Sequence, residues 1–224
     1  MSLSSQILTA KTLQVGMPHV STIPNHLKIH SLYDYVIFDD LLRPLVKFDS
    51  NGEMSADLVL KWEITDNFKK FIFTLKENQA FSDGSPIQAA EVVASLKHLS
   101  ANSDIVHGDG KKIKKITQLD KSRFEMELFE SDPFFLTELS APEYRVVKNP
   151  GKDNYHVTSG PYTIENNSIK NGLTIKANPK YPFGKEIAYR EVHFEQYDVE
   201  KPISNEMLNK FDIIWPKSSV KMKS

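Results

Sequence analysis

The clearest alternation of apolar and polar positions lies between Ala56 and Ser100. An apolar segment from Leu58 to Trp62 pauses at the polar turn Thr65-Asp66-Asn67. Phe71, Phe73 and Leu75 then alternate with Lys70, Ile72, Thr74 and Lys76, the period of two of a half-buried strand. Ser82-Asp83-Gly84 breaks the strand, because glycine accepts positive φ and aspartate bonds to its own backbone. Ser85 and Gln88 have the spacing of a capping box, with Pro86 preset for a first helical turn. Val92, Val93, Leu96 and Leu99 recur at helical spacing, with Glu91, Lys97 and His98 between them. The stretch predicts one folding unit of strand, tight turn and amphipathic helix.

The same reading along the chain predicts a short strand at Leu13–Gly16 and a helix from about Ser31 to Leu42, with a turn at Asp49–Gly52. Ile113, Ile116 and Leu119 lead through Asp120-Lys121-Ser122 into Phe124, Met126 and Leu128, a hairpin. Asp132-Pro133 opens a helix, Phe134 to Leu139, closed before Pro142. Tyr162–Ile164 and Leu173–Ala177 form a second hairpin about a turn at Asn166–Gly172. A strand at Ile187–Phe194 follows, then a short helix around Met207, Leu208 and Phe211 and a last strand at Asp212–Trp215. Strands and helices interleave, so the expected class is α/β with a mixed sheet flanked by helices.

Composition narrows the function classes. The 224 residues suffice for one large domain or two small ones. With 28 basic against 29 acidic residues the net charge is −1, so no bulk field draws nucleic acid or an anionic membrane. Lys111, Lys112, Lys114 and Lys115 are offset by nearby carboxylates and lack an aromatic platform for bases, so no nucleic-acid partner is expected. There is no cysteine, which excludes disulfides, thiolate zinc sites and cysteine nucleophiles. No window approaches the roughly 18 apolar residues of a membrane-spanning helix. Residues 1–10 are expected to be a disordered start, with Met1–Ser5, which lack the character of an export signal, expected to be an expression scar. The tail 217–224 is expected to fray.

Searching for chemistry yields little. Gly108-Asp109-Gly110-Lys111 does not complete the phosphate-loop pattern, and no GxSxG, HExxH or GxGxxG motif is present. His26 and His30 would share a helical face with a spacing that suits a metal. Pro24 opposes early helix there, and no carboxylate stands close, so solvated histidines are expected and neither metal nor cofactor is assigned. A hydrolase reading therefore has no assembled site.

Two blocks carry a resemblance. The first is Leu58 and Trp62, Phe71 and Phe73, Phe81, Asp83, Gly84 and Pro86, then Ala90, Val93, Ser95 and Leu96. The second is Thr158-Ser159-Gly160-Pro161-Tyr162, followed by Asn178-Pro179, Tyr181 and the strand Val192–Phe194. In this order and spacing they resemble the family 5 extracellular solute-binding proteins, the oligopeptide, dipeptide and nickel receptors of ABC importers, over residues 11–215.

The resemblance implies one lobe of a type II periplasmic receptor at 11–216, with a possible satellite subdomain of strands at 48–150. A second lobe follows the strand corresponding to Ile213–Trp215 in the family, so this chain reads as an amino-terminal lobe or a naturally short relative. It implies a monomeric, non-enzymatic protein that captures a peptide or similar small solute in the periplasm or outside the cell and hands it to ABC permease subunits. A sensor domain of a transcription regulator is the alternative, with no DNA-binding helix pair in residues 1–30 to support it. The ligand-facing candidates implied are Met17, His19, Val20, Ser21 and Thr22 in the loop after the first strand, and Tyr33 on the helix. Ser159, Gly160 and Tyr162 are placed at the floor of the cleft, and Trp215 at the lobe's end.

Overall fold

The computed structural model describes residues 12–20, 26–27, 31–102, 109–151, 156–168 and 172–217. Two apolar cores form, each from a sheet covered by one principal helix. The first sheet has the order β11 (Ile213–Ile214), β1 (Thr12–Met17), β10 (Glu191–Gln196), β9 (Gly172–Ala177), β8 (Tyr162–Ser168). β1 runs parallel to both β10 and β11, whereas β9 and β8 are antiparallel, so the sheet is mixed as expected. Its inward positions Val15, Leu173, Ile175, Val192 and Phe194 pack with Ile37, Phe38 and Leu41 of α1 (Leu32–Leu41). Ser31 caps α1: its hydroxyl accepts from the Asp34 amide, and Asp34 accepts from the Ser31 amide, a reciprocal box at the predicted helix start.

The second sheet is antiparallel, with the order β4 (Val59–Thr65), β5 (Lys70–Leu75), β7 (Arg123–Leu128), β6 (Ile113–Gln118). The predicted alternation in β5 is the reason for its central place. Phe73 lies opposite Trp62 on one side and Phe124 on the other, and its ring stacks on Phe124 at 5.1 Å. α2 (Ala89–Ala101) lays Val92, Val93, Leu96 and Leu99 on this face. A small hairpin, β2 (Val46–Phe48) with β3 (Met54–Ala56), flanks it. The turn in this hairpin was legible in the sequence; its three-residue strands are too short for alternation to register.

Two expectations change, at the start of α2 and at the end of β8. α2 starts at Ala89, three residues later than Pro86 suggested, and Glu91 receives the Gln88 amide at 3.0 Å. Ser85 is held instead by Asp83 at 2.7 Å, and the Ile87 amide bonds back to Gln79, which keeps this segment extended. Tyr144–Val147 joins neither sheet; Tyr144 ends a 3₁₀ turn, and the Val146 amide donates to Arg43 O at 3.0 Å, in the segment between α1 and β2. β8 continues to Ser168, past the predicted turn start. The remaining helices, α3 (Phe135–Glu138) and α4 (Asn205–Lys210), are short, and no helix among the described residues is long and apolar enough to cross a membrane.

Phe73 is fully buried at the middle of the second core. Phe73→Ala should destabilise the protein by about 3–5 kcal/mol, the range for emptying a large aromatic site. A urea denaturation midpoint within error of the parent would contradict this packing.

Candidate functional site

Parallel strands with a shared direction present their carboxyl ends along one edge, where α/β sheets commonly bind ligands. Here β1, β10 and β11 end at Met17, Gln196 and Ile214. The chain leaving each strand is tied to its neighbour. The Trp215 amide donates to Gly16 O at 2.9 Å, and the Tyr197 amide donates to Met17 O at 2.9 Å. The Tyr197 hydroxyl donates to Trp215 O at 2.7 Å, and the Tyr33 hydroxyl, from the start of α1, donates to Pro216 O at 3.0 Å. The Tyr33 and Trp215 rings meet edge to face at 6.2 Å. Burial, with Tyr33 close by, raises the Tyr197 phenol above its ordinary pKa, so the hydroxyl stays a neutral donor.

Five of the ten candidates gather at this edge. Met17 and Val20 are buried and shape it from below, and the Val20 amide donates to Gln196 Oε1 at 3.3 Å. His19 is exposed, and Tyr33 and Trp215 are half-buried. Ser21 and Thr22 lie outside the described residues. Tyr197 escaped the sequence reading, although its position just past the Val192–Phe194 strand was the available signal.

Ser159, Gly160 and Tyr162 belong elsewhere. Tyr162 pairs with Ala177, and the neighbouring registers place it level with the start of β1 rather than with Met17. The Gly160 amide donates to Leu41 O at the far end of α1, and ten helical residues rise about 15 Å. Ser159 is buried, taking the Arg43 amide at 2.9 Å and donating to Val146 O at 2.8 Å. A Cβ on Gly160 would stand 2.6 Å from the Asp40 carbonyl oxygen, so the glycine serves close backbone approach. These three residues build the join between the cores, at the opposite edge of the sheet from Trp215.

The expectation of solvated histidines fails for His26. Its ring is buried edge-on against Phe38, and burial, reinforced by His98, lowers its pKa to about 3. Among the described residues no three histidine or carboxylate side chains converge as a metal site; His30 lies outside them. Asp40 shifts the other way, to about 6, through burial and then the charge of Asp39.

A sequence profile of the bacterial extracellular solute-binding proteins, family 5 Middle, matches residues 53–220. The periplasmic oligopeptide-binding protein OppA of Salmonella typhimurium is 25% identical over 213 residues, 80% of this chain and 39% of that protein. The nickel-binding periplasmic protein of Escherichia coli is 25% identical over 234 residues, 92% of this chain and 43% of its own. This chain therefore spans about two-fifths of the length of these relatives. Among solved structures, a periplasmic oligopeptide-binding protein from Borrelia burgdorferi superposes with a TM-score of 0.76 at 18% identity, covering 90% of this chain and 46% of that one. NikA from Brucella suis, in complex with Fe(III)-EDTA, gives 0.74 at 20% identity, covering 83% and 39%. These likenesses share the fold.

Two outcomes follow from the geometry. Ser159→Ala strands the Arg43 amide and the Val146 carbonyl and should cost about 1–3 kcal/mol of stability, read by denaturant unfolding. The second concerns pH. A neutral buried His26 adds stability above the unfolded pKa of 6.5, and that contribution is lost as pH falls toward about 3. Asp40 opposes it, its contribution being lost as pH rises from 3.8 through about 6. His26→Gln should therefore remove part of the gain in stability that the parent shows as pH rises from about 3 to 6.5, measured as the difference in ΔG of unfolding between variant and parent. A variant whose gain with pH matches the parent's contradicts the assignment.

Proposed function

Because this chain belongs to the bacterial extracellular solute-binding proteins, family 5, we propose that the protein captures a peptide or similar small solute for an ABC importer. It works as a monomer in the periplasm or outside the cell, with permease subunits as partners and without catalysing a reaction. The observation that carries this reading is the edge where β1, β10 and β11 end, with Tyr33, Tyr197, Trp215 and His19 around the strand ends. Aromatic rings supply contact area with little conformational freedom to lose, and strand-end backbone groups suit a ligand's main chain. Ser21 and Thr22 follow Val20 in the sequence and are kept as candidates for the proposed site.

One open edge buries only part of a ligand, whereas small-molecule sites enclose most of the ligand surface. Receptors of this architecture achieve enclosure by closing two lobes about a hinge. Residues 11–216 act on this reading as one wall, with the 48–150 region as a satellite that props it. Titration calorimetry with a mixed peptide library should show weak or no binding to this chain by itself; micromolar affinity would overturn the one-wall reading. In a version carrying a second lobe, Trp215→Ala should weaken binding by about tenfold or more, the order seen for a central aromatic anchor. Unchanged affinity in that variant would remove the edge from the ligand site.

A further inference from the structure

A second concave site lies on the other side of the molecule, between the two cores. It is a cleft of about 390 Å³, within the size range of small-ligand pockets. Both segments that cross between the cores line it, Arg43 from one and Arg145 from the other, together with Lys47, Asp39 and Asp57. It is remote from the Tyr33–Trp215 edge, since Asp39 and Tyr33 stand toward opposite ends of α1.

The charges in this cleft are unevenly satisfied. Three cations meet two carboxylates. Arg43 is fully engaged: Nε donates to Asp57 Oδ1 at 2.6 Å, and the terminal nitrogens donate to Gln79 Oε1 at 2.6 Å and to Asp57 O at 3.3 Å. Lys47 also reaches Asp57, at 3.0 Å, yet 54% of its side chain is exposed. Arg145 is different. One terminal nitrogen donates to Leu42 O at 2.8 Å, the other pairs with Asp39, and Nε is buried without an acceptor. The guanidinium side chain is 9% exposed, whereas that of Asp39 is 61% exposed. Among the described residues this buried cation thus pairs directly with one carboxylate, on a solvent-facing side chain, while Asp57, Glu143 and Asp40 act on it from farther away. Such exposed partners hold weakly and exchange readily with solvent.

Next to this cationic group stand Phe48, which is half exposed, and Tyr181, whose ring covers the Arg43 guanidinium at 5.6 Å. A planar guanidinium recognises carboxylate, and an aromatic wall beside it selects an apolar body. We propose that this cleft binds a small carboxylate bearing an apolar or aromatic body. The ligand carboxylate replaces Asp39 on Arg145 with Lys47 alongside, and its body rests against Phe48 and Tyr181.

The test uses the full chain and three probes: benzoate, acetate and inorganic phosphate, each titrated while backbone amide shifts are followed by NMR. Benzoate should give saturable shifts at the amides of Asp39, Arg43 and Lys47. Asp39→Ala removes the internal competitor and should tighten benzoate on the order of two- to fivefold, the worth of an exposed ion pair. Lys47→Ala should weaken it by a comparable factor. Both side chains are exposed, so the folded spectrum should persist in both variants. No saturable shift with benzoate up to about 20 mM in either the parent or Asp39→Ala overturns the proposal, since binding weaker than that carries little selectivity. So does an Asp39→Ala variant that binds no better than the parent. Acetate or phosphate binding as tightly as benzoate overturns the assignment of an apolar body.

Discussion

The structure depends on a buried polar turn, Thr158 to Tyr162, on which four separate parts of the chain converge. The Gly160 amide caps α1 through Leu41 O. The Ser159 hydroxyl bridges the two crossing segments, taking the Arg43 amide and giving to Val146 O. Asn178 is buried and donates through its side chain to Gly160 O at 2.8 Å, while its amide donates to Pro161 O at 2.7 Å. Ser82, from the acidic-glycine corner, accepts the Thr158 amide at 3.0 Å, and its own amide donates to Thr158 O at 2.9 Å. A buried backbone group without a partner costs several kcal/mol, so each of these bonds obliges the others.

This network joins the two sequence blocks, some 75 residues apart, that carry the resemblance. The corner at Ser82–Gly84 belongs to the second core and the turn at Thr158–Tyr162 to the first, and they are bonded directly to each other. Lys148, just beyond the second crossing, pairs with Asp83 and draws its carboxyl down to about 2. Ser95 of α2 adds another stitch, donating to Arg145 O and accepting the Val147 amide. The cores therefore meet through hydrogen bonds of fixed direction as well as apolar contact. Their relative orientation is set by small polar residues, which composition alone would assign to surface loops.

Local pattern made the elements legible where one face is buried and the other wet. β5, with Phe71, Phe73 and Leu75 inward, and α2, with Val92, Val93, Leu96 and Leu99 inward, could be read off directly. Boundaries governed by side chain–backbone competition could not: Asp83 captures Ser85, and the helix cap moves to Gln88. The site was legible only in part. Met17, His19, Val20, Tyr33 and Trp215 meet because parallel strands share an end, a relation that periodicity does not encode. Ser159 and Gly160 stand out in sequence for the same reason they are unavailable to a ligand, because a serine and a glycine are what a crowded backbone junction requires. His26 read as polar and solvated, yet Phe38 and the second core close around it.

The two edges of the first sheet thus carry different physics. At the start of β1 and the end of α1, polar groups are buried and mutually satisfied, which makes that edge stiff and leaves it few free donors. At the carboxyl ends of β1, β10 and β11, half-exposed rings sit over strand ends held by single main-chain bonds. Binding needs groups that are positioned and within reach of a ligand, and positioning needs a scaffold that does not yield. The hydrogen-bonded join supplies the second condition at one edge, so that the aromatic edge can meet the first.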